Sequence, residues 1–191
     1  MQTFQRRIMK NTLYKFYLLI CCIGFQFNAS GQLIITAVFD FDLPGGEPKG
    51  VELFATSDIP NLSIFGLGSA NNGGGTDDEE FTFPADSANE GDFIYVSYES
   101  TNFLAYFGFS PNYTSSSMQI NGDDAVELFQ NGSVIDTYGD PDTNGDYEVW
   151  DYTDSWAYRV DNTSANPTFE PSNWIFAGRG AADGCGTTNA D

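Results

Sequence analysis

NGDDAVELFQNGSVIDTYGDPDTNGDYEVWDYTDSWAYR, residues 121–159, decides the fold class through its spacing. Ala125–Gln130 and Ser133–Tyr138 are short runs rich in apolar and β-branched residues, joined by Asn131-Gly132. Both joining residues tolerate positive φ, so the pair predicts a two-residue type I′ hairpin turn. An oxygen-rich loop comes next, then an aromatic return in which Trp156–Val160 is expected as a last or near-last core strand. No residue in the stretch is a nucleophile with a base beside it. The stretch therefore describes a β-module rather than an active site.

Outward from this hairpin, the same grammar repeats. Leu33–Phe39 predicts a strand buried on nearly both faces, and Gly50–Thr56 a second one. Leu62–Leu67 and Phe81–Phe83 flank a Gly/Asn/Asp-rich loop, Ser69–Glu80; Asp92–Tyr98 and Asn102–Phe107 are read as two more strands. Gly, Pro, Asn and Asp punctuate these runs, and no segment sustains helical periodicity. Many short strands without crossover helices predict an antiparallel all-β sandwich. Val51-Glu52-Leu53-Phe54 echoes Val126-Glu127-Leu128-Phe129, which predicts Val and Leu on one face of each strand and Glu and Phe on the other.

Residues 1–31 read as a signal peptide. Arg6, Arg7, Lys10 and Lys15 precede the apolar run Phe16–Phe25, which is too short to span a bilayer. Ala29 and Gly31 give the small-residue spacing for cleavage before Gln32, and Met9 is a plausible start. Cys21 and Cys22 lack the preceding small residue of a lipoprotein signal. Four of the seven basic residues and none of the 27 acidic ones lie in this leader. The chain from Gln32 onward has only Lys49, Arg159 and Arg179 against 27 acids, a formal net charge of −24. Such a surface repels phosphate backbones, so nucleic acid is not an expected partner through this domain. The expected location is extracellular or at the cell surface, with no transmembrane segment after cleavage. Cys185 alone cannot close an internal disulfide, and residues 177–191 read as a flexible tail or linker.

Several of these motifs together resemble a known family. Leu33–Phe39, Lys49–Phe54, Asn121-Gly122-Asp123-Asp124-Ala125-Val126-Glu127-Leu128, and Asn131-Gly132 with Val134-Ile135-Asp136 look like the lamin-tail domain in its bacterial form. Trp150, Trp156-Ala157-Tyr158-Arg159, Phe169 and Trp174 resemble the end of that module. The resemblance spans Leu33 to Trp174 and implies an immunoglobulin-like β-sandwich over residues 32–176. It also implies a secreted protein of Bacteroidota type that binds or scaffolds without catalysis. Such modules stand beside nuclease, phosphatase or adhesion domains. The alternative is therefore an accessory domain of an extracellular nuclease or phosphoesterase whose catalytic part lies outside these 191 residues.

The chemical inventory agrees with a binding role. Histidine is absent, which excludes Ser-His-Asp and Cys-His mechanisms and His-ligated zinc hydrolysis. Carboxylate pairs abound, so acid–base hydrolysis by carboxylates alone stays open by inventory. The sharpest motif is Asp140, Asp142, Asn144, Asp146, Glu148 and Asp151, with Gly145 at the turn. Oxygens at loop positions 1, 3, 5, 7, 9 and 12 match the spacing of a Ca2+ loop. Asp151 is shorter than the usual glutamate at the last position, flanking helices are not predicted, and turn-making also accounts for these residues. Asp77-Asp78-Glu79-Glu80 reads as a solvated flexible loop, and Asp123-Asp124 as a cap on the Asn121-Gly122 turn. Trp150, Tyr152, Trp156 and Tyr158 share one parity, as a core stripe or a platform for an extracellular protein or glycan. Arg159 is expected in a salt bridge with Asp136 or Asp154.

Overall fold

The computed structural model describes residues 31–187. The signal peptide expected in residues 1–31 lies outside these except for Gly31. The described chain is an all-β sandwich with ten strands and one short α-helix. The strands are β1 (Leu33–Leu43), β2 (Glu47–Ala55), β3 (Phe65–Ala70), β4 (Phe81–Thr82), β5 (Phe93–Ser97), β6 (Tyr113–Thr114), β7 (Ala125–Gln130), β8 (Ser133–Tyr138), β9 (Ser155–Arg159) and β10 (Trp174–Phe176). One sheet has the order β10-β9-β1-β2-β5-β6, the other β4-β3-β7-β8. All pairings are antiparallel except β5 with β6.

The alternation of the strands builds the core. Val51 and Leu53 of β2 and Val126 and Leu128 of β7 are all fully buried in one cluster between the sheets. Each such side chain contributes roughly 1.5–3 kcal/mol of burial. Glu52 and Glu127 face outward from opposite sheets. On β1, Leu33 and Ile35 point inward, a register shift falls between Ile35 and Ala37, and Val38 resumes the inward row. The shift puts Phe39 and Phe41 on the outer face. The hairpin turn between β7 and β8 has φ of 50° at Asn131 and 74° at Gly132, as a type I′ turn requires.

Asn102–Phe107, expected as a strand, is instead α1 (Thr101–Phe107). A six-residue run with five apolar residues does not distinguish strand from helix by periodicity alone. Glu99 decides the matter, accepting from the backbone N–H groups of Thr101, Asn102 and Phe103 at the helix start. Gly108, with φ of 80°, ends the helix and donates to the Leu104 carbonyl. α1 lays Phe103 and Tyr106 on the outer face of the six-stranded sheet, over Phe39 and Phe41, forming a second hydrophobic cluster. Residues 177–185, read as the start of a flexible tail, dock on this structure. Ala177 N–H bonds the Trp156 carbonyl, Gly180 N–H that of Thr153, Ala182 N–H that of Asp154, and Ala182 is fully buried.

Among the described residues, no helix is long and apolar enough to cross a membrane.

Candidate functional site

On the outer face of the four-stranded sheet lies a cavity of about 670 Å³. Glu127 of β7 and Val134 of β8 contribute from the sheet; Asp140, Asp142, Glu148 and Trp150 come from the loop after β8; Pro167 to Phe169 and Pro171 come from the segment before β10. Three of the six residues singled out by the calcium-like spacing, Asp140, Asp142 and Glu148, therefore converge on one concavity. They are joined there by Glu127, which the sequence marks only as an outward position in a strand.

The glycines of β3 make room for this face. A Cβ on Gly66 would collide with the Glu79 side chain, and one on Gly68 would lie 2.5 Å from the Asp78 carbonyl oxygen. Residues 77–80 can therefore cross directly over the sheet. Their charges are largely solvated, as expected, but the backbone is tied down. Glu80 N–H donates to the Leu67 carbonyl, and the Glu80 carboxylate accepts from Ser69 N–H at 2.8 Å. Thr76 then donates its hydroxyl to Glu127 Oε1 at 2.8 Å. Only 3% of Glu127 is exposed. Burial pushes its carboxyl above the ordinary range, the Thr76 bond opposes this, and the Asp77 and Asp142 charges add to it.

The other three residues of the spacing serve the loop itself. Asn144 Oδ1 accepts from Asp146 N–H at 2.8 Å, as Asp140 Oδ1 accepts from Asp142 N–H at 3.1 Å. These are Asx-type turns. Asp151 is buried and accepts from Tyr147 N–H and Thr153 N–H, each at 2.9 Å. Asp146 and Asp151 both grip Arg179, the latter at 2.8 Å. Burial pushes the Asp151 carboxyl up, but these donors outweigh it and hold the group below its usual value. The cation gathered at this end of the loop is thus the chain's own guanidinium. Among the described residues, no group of three or more Cys, Asp or Glu side chains stands ready to hold a metal ion.

Strain and exposure accompany the loop. Tyr147 has φ of 65°, unusual for an aromatic residue, and is 81% exposed with the Arg179 guanidinium 4.7 Å from its ring centroid. Val149 is also exposed. Gly145 allows the loop to close against the core, since a Cβ there would collide with the Trp150 ring.

The aromatic stripe divides. Trp150 and Tyr152 are core residues packed edge-on around the fully buried Tyr138, whose hydroxyl donates to the Trp150 carbonyl at 2.6 Å. Trp156 and Tyr158 lie on the opposite, outer side of the six-stranded sheet, with Tyr158 exposed. Asp124 caps as expected, accepting from Asn121 N–H and Asn72 N–H. Arg159 pairs with Asp136 at 2.6 Å, across the two sheets.

Glu127 and Arg179 are the residues that the sequence does not reveal at the site. A charge inside an otherwise apolar strand is the one signal for the first; the second has none, because its partners are about 30 residues away. Comparison with protein-family models, with curated proteins and with solved structures found no match to this chain.

Proposed function

We propose that this chain is a secreted, non-catalytic binding or scaffolding module of lamin-tail type, with an immunoglobulin-like arrangement of its sandwich. Its acidic cavity takes cationic groups of an extracellular protein or glycan, with Ca2+ as a candidate stabilising ion. The observation that carries this reading is the meeting of Glu127, Asp140, Asp142 and Glu148 around one cavity. No cation among the described residues is left to neutralise them. Lys49 is engaged by Asp40, Arg159 by Asp136, and Arg179 by Asp146 and Asp151. Pro167, Phe169 and Pro171 supply apolar contact beside the charge, a combination suited to lysine- or arginine-bearing segments.

Titration of the protein with CaCl2 and with oligolysine, followed by calorimetry and by the Trp150 indole resonance, tests this. Saturable binding that weakens with NaCl and is lost in Glu127→Gln with Glu148→Gln is the expected result. Absence of heat and of any resonance shift with either ligand would end the proposal. Glu127 also favours a second reading, because a buried carboxyl pushed above its ordinary range beside other carboxylates is what hydrolysis by acids alone requires. A nuclease and glycosidase panel with Ca2+, Mg2+ and Mn2+ stays blank under the first reading and not under the second.

A further inference from the structure

The outer face of the six-stranded sheet holds a separate pocket of about 270 Å³. Its walls are aromatic. Phe39 and Phe41 rise from β1, Tyr95 from β5 and Trp156 from β9, while Tyr106 and Phe107 descend from α1. Phe41 stacks on Tyr106 with ring centroids 4.2 Å apart, and Phe107 meets Phe39 edge-on at 5.3 Å. Glu52 of β2 also lines the pocket. One of its carboxylate oxygens accepts from the Thr36 hydroxyl at 2.8 Å, the other from the Tyr95 hydroxyl at 2.7 Å. Two neutral donors therefore fix the carboxylate in place without cancelling its charge. All three cations among the described residues are paired with other acids.

We propose that this pocket binds an organic cation whose charge is carried by an alkylated ammonium group. Ring faces attract a cation through their quadrupoles, and a partly buried carboxylate adds a full opposite charge. The chemistry of the lining narrows the class. Ca2+ requires six to eight oxygen ligands, which one carboxylate and a wall of rings do not supply. A primary ammonium brings three N–H donors that each need an acceptor. A sugar brings a hydroxyl on nearly every carbon. An alkylated ammonium makes few or no such demands, and its methyl groups fill the space between rings. The volume lies below that of typical ligand pockets, which fits a headgroup rather than a large molecule. Glu52 also borders a neighbouring concavity of about 440 Å³ that includes the exposed Phe93 and Tyr158. Whatever carries the headgroup has room to continue along the sheet there. This pocket and the acidic cavity lie on outer faces of different sheets, so neither depends on the other.

The test is titration of the full chain with choline and with its neutral isostere 3,3-dimethylbutan-1-ol at constant ionic strength. The Trp156 indole resonance reports the pocket, and the melting temperature reports the fold. Choline is expected to shift Trp156 saturably and to bind about tenfold more tightly than the alcohol. Glu52→Gln, which keeps a partner for the Thr36 and Tyr95 hydroxyls, should reduce that preference severalfold while leaving the alcohol's affinity unchanged. Trp156→Leu, followed through the Tyr106 ring resonances, should weaken choline by a similar factor. Equal affinity for the two ligands, no saturable shift, or an unaltered preference in a folded Glu52→Gln protein would each overturn the proposal. Oligolysine in a parallel titration reads the acidic cavity at Trp150, so either site can fail while the other stands.

Discussion

Arg159 ties one sheet to the other. Its Nη2 contacts both oxygens of Asp136, its Nε donates to the Ile35 carbonyl, and its Nη1 to the Ser164 carbonyl at 3.0 Å. The guanidinium also lies 4.5 Å from the centroid of the Trp174 ring. Asp136 accepts in addition from the N–H groups of Ile35, Thr137 and Asn166. Burial pushes the Asp136 carboxyl up, and the guanidinium and the Asn166 and Ile35 N–H groups oppose it. Both side chains are almost wholly buried. Removing one partner of such a pair strands the other charge, at about 3–5 kcal/mol. Arg159→Ala should lose that much in urea unfolding. Arg159→Met combined with Asp136→Leu should recover only part of it, because neither charge is then stranded but the Ile35 and Asn166 N–H groups lose their acceptor. If Arg159→Ala unfolds at the wild-type midpoint, the pair is not what joins the sheets.

The loop between β8 and β9 is held by its fit to the core. Gly145 lies under Trp150 and donates its N–H to the Asp123 carbonyl at 3.0 Å. A methyl group at 145 has no space, so Gly145→Ala should cost about 1–3 kcal/mol by overpacking and displace the Trp150 indole signal. Gly186→Ala, with nothing near its Cβ position, is the matched control and should leave the melting temperature unchanged. An unperturbed Trp150 in Gly145→Ala would show that the loop closes in some other way. For α1, the hydrophobic run is compatible with strand or helix, and three bonds from Glu99 together with Gly108 select the helix. The hairpin needs no such help, since Asn131-Gly132 carries its own geometry. Most strand positions were legible where turn chemistry bounded them, but β3 runs Phe65–Ala70 where Leu62–Leu67 is expected, because Leu62–Ile64 forms a 3-10 turn capped by Asn61. Helix α1 was not legible, because its caps are polar residues that also make turns.

Net charge governs the molecule as a whole. The Asp40 carboxyl, buried beside Lys49, is pushed up from 3.8 to about 6, mainly by burial and against the pull of the lysine. Its native form therefore holds a proton that the unfolded chain has already released. The stability it contributes is complete below pH about 4 and lost as pH rises to about 6, on the order of 3 kcal/mol. Asp123, Glu127 and Asp154 are pushed in the same direction. Asp151 is held low and opposes them on the acid side. Stability should accordingly decline between pH 4 and 6.5 in thermal melts, and Asp40→Asn should flatten that decline. Added NaCl should raise the melting temperature at pH 7, since screening relieves repulsion among 27 acids faced by few cations. A stability that rises across this pH range would refute the assignment to Asp40.

Local properties of the chain were enough to establish the all-β class, the β7–β8 hairpin, the inward rows of β2 and β7 and the acidity of the surface. Period-two alternation, turn residues and charge all act between near neighbours, so they can be read along the chain. The acidic cavity, the capture of Asp146 and Asp151 by Arg179, and the ring-lined pocket around Glu52 depended on folding. Each joins residues that only sheet register and loop docking bring within a few ångströms. The Asp140–Asp151 spacing shows the difference most clearly. Its oxygens are those of an ion-binding loop, yet the fold uses those of Asp140, Asn144, Asp146 and Asp151 for its own turns and its own arginine, while Asp140, Asp142 and Glu148 line one cavity with Glu127. Side-chain type is a property of the sequence, whereas the direction in which each side chain points is settled by the packing of the backbone that carries it.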